Sequence, residues 1–317
     1  MSGRPFSHPS GSTDPGDRSA SGPGQNANLD SHFGEAPGTN GRREAPDSRG
    51  LGDVALRRVA AFGGVYSNHR ALRAAIQDAR ERGAEALLCL GDLGAFGPSP
   101  DKTVQILRDE GIPVVRGNYD DSIARGLDDC QCGYTDPRDN HYARISYDYT
   151  LANTAGEHRE WMATFPPEIR FRLGDLRVLA FHGSPRRMNE FLWETTTPTH
   201  FLERMARKAG ADVLLGTHTG IHWSRRLGDR SWYVNAGALG RPANDGRREV
   251  WYAMLEAQAG ESELKVEFIP VEYEVELLAD EMRDEGLPDE FIETIRTGWW
   301  TTCLEVLPGK ERKGGRW

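Results

Sequence analysis

Cysteine is scarce. Only four of the 317 residues are Cys, at positions 89, 130, 132 and 303. That excludes the disulfide framework that staples small secreted domains and fits a reducing, cytoplasmic compartment. Cys89 lies in an apolar run and reads as a small core residue. Cys130-Gln131-Cys132 has no second cysteine pair to match it, which argues against a structural zinc and leaves a redox or incidental role. Long apolar runs are also missing; none approaches the ~18 residues of a membrane helix. Positive charge is in deficit, 39 Lys and Arg against 48 Asp and Glu, for a net charge of -9. A general nucleic-acid binder is disfavoured, whereas a small anionic substrate held by a local cation is not. Residues 1 to about 50 nearly lack large apolar side chains and are rich in Ser, Gly, Pro, Asp and Asn. Such a stretch cannot offset its ordering entropy and reads as a disordered tail over 1–52. Without an apolar core of its own it is not a signal peptide.

Past Arg57 the texture changes. Val59-Ala60-Ala61-Phe62 is a short apolar run, Leu72, Ala75, Ile76 and Ala79 recur at helical spacing, and Gly83 supplies a stop. A second run, Ala86 to Leu90, follows, so strand, helix and strand imply a parallel pair with a right-handed crossover. The second run ends in Gly91-Asp92, which puts a carboxylate at the carboxyl edge of a sheet, where open α/β proteins place ligands. A bare carboxylate there is costly unless solvated, paired or bound to a cation, so Asp92 reads as a metal ligand.

The pattern recurs. Val104, Ile106 and Leu107 read as helical, and Ile112-Pro113-Val114-Val115 reads as a strand ending in Gly117-Asn118-Tyr119-Asp120. Residues 121–170 read as an inserted helical and loop segment, with a helix around Leu151 to Met162. Strands resume at Leu176 to Phe181, closed by His182-Gly183-Ser184-Pro185, and at Asp212 to Leu215, closed by Gly216-Thr217-His218-Thr219-Gly220. A helix near Phe201 to Ala209 lies between them, and later strands are expected near Ser231 to Val234, Val250 to Leu255 and Leu264 to Ile269. From Glu274 the pattern is helical, giving a main domain over 53–272 and a helical extension over 273–317. The extension carries Trp299-Trp300, which cannot both face one helix core; either one covers a rim or partner surface, or both pack on the main domain.

Four strands thus end in Asp92, Asn118, His182 and His218. One carboxylate oxygen, one amide oxygen and two imidazoles suit Mn, Fe, Zn, Co or Ni better than Ca or a thiolate-selected metal. A parallel arrangement brings all four out at one edge. The planar guanidinium groups of Arg186 and Arg241 match phosphate oxygens and are candidate substrate binders, with surface solvation as the plainer role.

Gly91-Asp92, Gly117-Asn118, His182-Gly183-Ser184-Pro185, Thr217-His218-Thr219 and Asn235-x-Gly, in that order, resemble the calcineurin-like metallophosphoesterases over roughly Val59 to Leu255. The resemblance implies an α/β fold, a sandwich of two mixed β-sheets flanked by helices with metals at the sheet edge. It also implies hydrolysis of a small phosphomonoester or phosphodiester by metal-activated water. The departures are specific. Where the family has Asp-x-His followed by Gly-Asn, this chain has Gly64-Val65-Tyr66-Ser67-Asn68. Where the family has Gly-Asn-His and an acid, it has Gly117-Asn118-Tyr119-Asp120, and Gly-His-x-His becomes Thr217-His218-Thr219-Gly220. The resemblance therefore implies one intact site for one ion, at Asp92, Asn118, His182 and His218, beside an erased one. It makes Tyr119 and Asp120 the candidate catalytic pair, although a phenol with an ordinary pKa of ~10 is a poor base. Tyr66 reads as occupying or filling the erased site; His69 and His222 read as belonging to a helix start and a strand, with substitute ligation of the second site as the alternative. The alternative function is a non-catalytic scaffold on the same fold.

Overall fold

The computed structural model describes residues 51, 55–260 and 263–313, all within the unit Pro46–Trp317. The tail expected over 1–52 lies, Leu51 apart, outside the described residues. Two mixed sheets face each other. The first has the order β2-β1-β8-β9, formed by β1 (Arg58–Phe62), β2 (Ala86–Cys89), β8 (Val250–Glu256) and β9 (Lys265–Val271). Its β1 and β2 are parallel, and the other pairs are antiparallel. The second has the order β3-β4-β5-β7-β6, from β3 (Glu168–Leu173), β4 (Leu176–Phe181), β5 (Val213–Gly216), β6 (Trp223–Leu227) and β7 (Ser231–Asn235). Here β4, β5 and β7 are parallel, with antiparallel β3 and β6 at the edges.

Strand β1 shows why its run is continuously apolar. Val59 and Ala61 enter the core between the sheets, while Ala60 and Phe62 enter the core beneath the helices, so both faces are dry. The inter-sheet core adds Leu88, Leu90 and Leu255 from one sheet and Phe171, Val178, Leu215 and Val234 from the other. Each such buried side chain contributes roughly 1.5–3 kcal/mol. Helix α1 (His69–Glu81) starts at Asn68, whose side-chain oxygen accepts from Ala71 N, and it buries Leu72, Ala75, Ile76 and Ala79, the four positions its spacing selects. With α2 (Pro100–Asp109) it covers the first sheet, and α6 (Thr199–Ala209) covers the second. The intervening helices are α3 (Asn118–Arg125), α4 (Pro137–Ala152) and α5 (Gly156–Ala163). The C-terminal pair, α7 (Val275–Asp284) and α8 (Asp289–Thr297), packs on Phe96, Tyr142 and Tyr149.

Several local expectations change. Ile112 to Val115 forms only a parallel bridge from Val114 to Cys89, since Pro113 lacks the N–H a ladder needs. The single helix expected from Leu151 to Met162 is two, broken at residues 153–155. Strand β3 was not anticipated, and β6 begins one residue after His222, where a strand was expected. Cys130 and Cys132, expected to be incidental or redox thiols, are joined as a disulfide, and Cys89 and Cys303 are buried free thiols. No helix among the described residues is long and apolar enough to cross a membrane.

Candidate metal centre

The expected ligands sit where strands or bridges give way to loops. Asp92 follows β2, Asn118 opens α3, His182 follows β4 and His218 follows β5. Donor atoms of Asp92, His182 and His218 lie within 4.8 Å of one another, and all three residues are buried. His182 Nε2 is 3.2 Å from Asp92 Oδ2 and 3.0 Å from His218 Nδ1. The other His182 nitrogen, Nδ1, donates to the Leu90 carbonyl at 2.7 Å, so Nε2 is the atom turned toward the cluster. Asp92 Oδ1 accepts from Tyr119 N at 3.0 Å, which leaves Oδ2 to face the histidines.

Asn118 is oriented by the disulfide loop. Its amide nitrogen donates to the Cys130 carbonyl at 2.8 Å, and its Oδ1 is buried with no partner among the described residues. It shares a cavity with Asp92 and His218. A carboxylate oxygen and two imidazole nitrogens that converge, with an orphaned amide oxygen buried in the same cavity, fit a transition-metal cation. The backbone points the same way. Asp92 (φ 57°) and His218 (φ 72°) are non-glycine residues held in the left-handed region, a strain of order 1–3 kcal/mol each that clusters at functional sites. Gly117 permits the approach, since a Cβ there would lie 2.3 Å from Asp92 Oδ1.

Burial and neighbouring charge push the ionisable groups apart. Burial raises Asp92, but the charge and hydrogen bond of His182 outweigh it and hold the carboxyl below its ordinary value. Burial lowers His182, and Asp92 more than reverses this, so that imidazole is raised. Burial and the neighbouring His182 lower His218 to about 3, so it is neutral, as a metal ligand must be.

Where the resemblance places a second site, aromatic rings take up the space. At Gly64, where the resemblance expects an aspartate, an added Cβ would lie 2.8 Å from the Tyr66 ring. At Gly220, in place of the second histidine of the last motif, it would lie 2.9 Å from the Trp300 indole. Trp300 is anchored by donating from Nε1 to the Pro242 carbonyl at 2.6 Å. Behind Tyr66 lies the guanidinium of Arg241, only 5% exposed and clasped between Phe96 at 4.6 Å and Trp300 at 3.7 Å. Neither histidine considered as a substitute joins the cluster. His69 Nδ1 lies 3.7 Å from Glu281, and His222 packs at a tilt against Trp251 and Phe268.

The other candidate residues divide. Tyr119 lines the cavity, but its hydroxyl donates to Ser146 Oγ at 3.0 Å, and burial raises it well above an ordinary phenol. Asp120 accepts from the backbone N–H groups of Asp92, Leu93 and Gly117, and burial with the Asp92 charge raises it to about 6. It thus fastens the two ligand loops together. Arg241 lies behind the wall, and Arg186 is exposed, pairing with Glu190 and covering Phe201. Sequence reasoning missed Phe96, Tyr134, Phe191 and Cys303, which complete the cavity wall. The paired tryptophans were the only signal that the C-terminal extension reaches this site.

Comparison with known proteins bears on the same region. A family model described as the calcineurin-like phosphoesterase superfamily domain matches residues 58–260. An uncharacterized protein of Methanocaldococcus jannaschii is 23% identical over 254 residues, which is 76% of this chain and 98% of that protein. The crystal structure of a metallophosphoesterase from Sphaerobacter thermophilus is similar at 24% identity with a TM-score of 0.58, covering 77% of this chain and 99% of that one. That of a hypothetical protein from Pyrococcus horikoshii is similar at 23% identity with a TM-score of 0.63, over 77% and 99% of the two chains.

Proposed function

The chain belongs to the calcineurin-like phosphoesterase superfamily, and from that we infer that it is a metal-dependent phosphoester hydrolase working with one cation. Asp92, Asn118, His182 and His218 would hold that ion. The observation that carries the reading is the convergence of buried donor atoms, with Asn118 Oδ1 unpartnered, beside a second half closed by Tyr66 and Trp300. When bound, a divalent ion of this kind polarises a phosphoryl oxygen and acidifies coordinated water.

The rest of the work falls to the protein. The bond to Leu90 fixes the His182 tautomer, and the Cys130 carbonyl turns the Asn118 amide so that its oxygen faces inward. Asp120 holds the Asp92 and Asn118 loops in register through three backbone donors. Tyr119 keeps its proton on Ser146 and serves as wall rather than base. Aromatic side chains limit water at the reacting centre.

Full-length protein loaded in turn with Mn, Fe, Zn, Co or Ni should hydrolyse a generic phosphoester, and His182→Ala should abolish this. Equal turnover in that variant would contradict the reading. A second reading, a cation-holding scaffold without turnover, draws on Tyr119 standing where the family carries its catalytic histidine. It requires no hydrolysis with any metal, together with a fall in Tm on chelation.

A further inference from the structure

We propose that the centre takes phosphodiesters with a bulky alcohol in preference to phosphomonoesters, an inference that rests on the hydrolase reading above. Charge carries the first part. Of three buried carboxylates, Asp92 lines the cavity, Asp120 is bonded to the backbone of Asp92 and Leu93, and Asp139 lies further out; against them stands one buried guanidinium, Arg241, behind the wall. Asp139 is fixed by the backbone N–H groups of Cys303 and Glu305, so it backs the same wall. A divalent cation offsets the excess and leaves no positive charge over. Among the described residues no lysine or arginine lines the inner cavity, whose walls include the rings of Tyr66, Phe96, Tyr119, Tyr134 and Phe191. A diester brings one negative charge into that dry enclosure and a monoester dianion brings two. The second has nothing to pair with, which is the costly case.

Shape carries the second part. The inner cavity is small, about 40 Å³, the volume of a few waters. Its wall residues Cys132, Tyr134 and Ala143 also line a neighbouring outer chamber of about 440 Å³, together with Asp129, Gln131, Asn140, Arg144 and Asn189. A phosphoryl group seated at Asp92 and His218 would send one ester substituent past these shared residues into that chamber.

Two inert probes separate the classes. Diphenylphosphinate is a monoanion shaped like a diester, and phenylphosphonate at about pH 8 is a dianion shaped like a monoester. Calorimetric titration of the full chain loaded with Mn should show the phosphinate binding at least about tenfold more tightly. Ala143→Phe, which adds a ring at the wall the two cavities share, should erase that preference. Should Ala143→Phe fail to fold, Asn140→Trp, at an exposed position, crowds the chamber with the same expected result. Equal or tighter binding of phenylphosphonate, or a preference untouched by these substitutions, would overturn the proposal. Turnover of bis(4-nitrophenyl) phosphate against 4-nitrophenyl phosphate separates the two failures. Loss of both activities with the phosphinate preference intact sinks hydrolysis alone, and faster monoester turnover sinks the substrate class alone.

Discussion

Gly220 and Gly64 carry no side chain, and what matters is what occupies the space where one would be. Trp300 lies against Gly220 and Tyr66 against Gly64, so restoring a ligand at either position meets an aromatic ring. Gly220→His has a second obstacle, a φ of +76° that a side chain rarely adopts. We expect it to destabilise the fold by about 2 kcal/mol or more in denaturant titration and to recruit no second ion. A gain of metal without loss of stability would show that the pocket is less filled than described. Tyr119→Phe tests another residue-scale reading. If the hydroxyl serves only Ser146, the change should cost about 1 kcal/mol and leave turnover within roughly tenfold of the parent. A much larger fall in turnover would make that phenol a proton donor.

At the scale of elements, the strand endings were legible because each couples an apolar run to a glycine-flanked polar residue, as in Leu90-Gly91-Asp92 and Phe181-His182-Gly183. Strand β3 was not, although Ile169, Phe171 and Leu173 alternate with Arg170 and Arg172. Its neighbours Pro166-Pro167 and the charged insert before them drew the segment into a loop. The closure beside the metal ligands was illegible for a different reason: Trp300 meets Gly220 and Arg241 only through tertiary packing. Trp300→Ala should therefore cost about 3 kcal/mol by denaturant midpoint, since it removes a buried indole that covers Gly220 and Arg241. A cost under about 0.5 kcal/mol, the range of ordinary surface changes, would deny the extension this role.

His222, just before β6, packs its ring at a tilt against Trp251 of β8 and Phe268 of β9, and so links the two sheets. Burial lowers its pKa to about 4, with Asp245 opposing and Arg247 assisting. The unfolded chain titrates near an ordinary ~6.5, so on acidification it binds a proton that the native state refuses. The stability this group confers is complete above pH ~6.5 and is lost as pH falls toward about 4. In His222→Phe the drop in Tm between about pH 8 and about pH 5 should be smaller than in the parent. An unchanged drop would place the acid sensitivity elsewhere.

For the molecule as a whole, the family and the two-sheet architecture follow from the order of its glycine-flanked motifs, while the departures from those motifs shape its chemistry. A net charge of -9 makes local positive charge the scarce quantity at any anion site. Among the described residues no lysine or arginine lines the inner cavity, and Arg241 lies behind its wall, so a bound cation would be the main source of that charge. The account stands on a centre that is half built and half filled. Its most direct test is metal stoichiometry, measured by elemental analysis of full-length protein saturated with a transition metal and then stripped of loosely bound ions. One ion per chain, lost in His182→Ala, is the predicted result; two ions per chain, or one that survives that substitution, would contradict it.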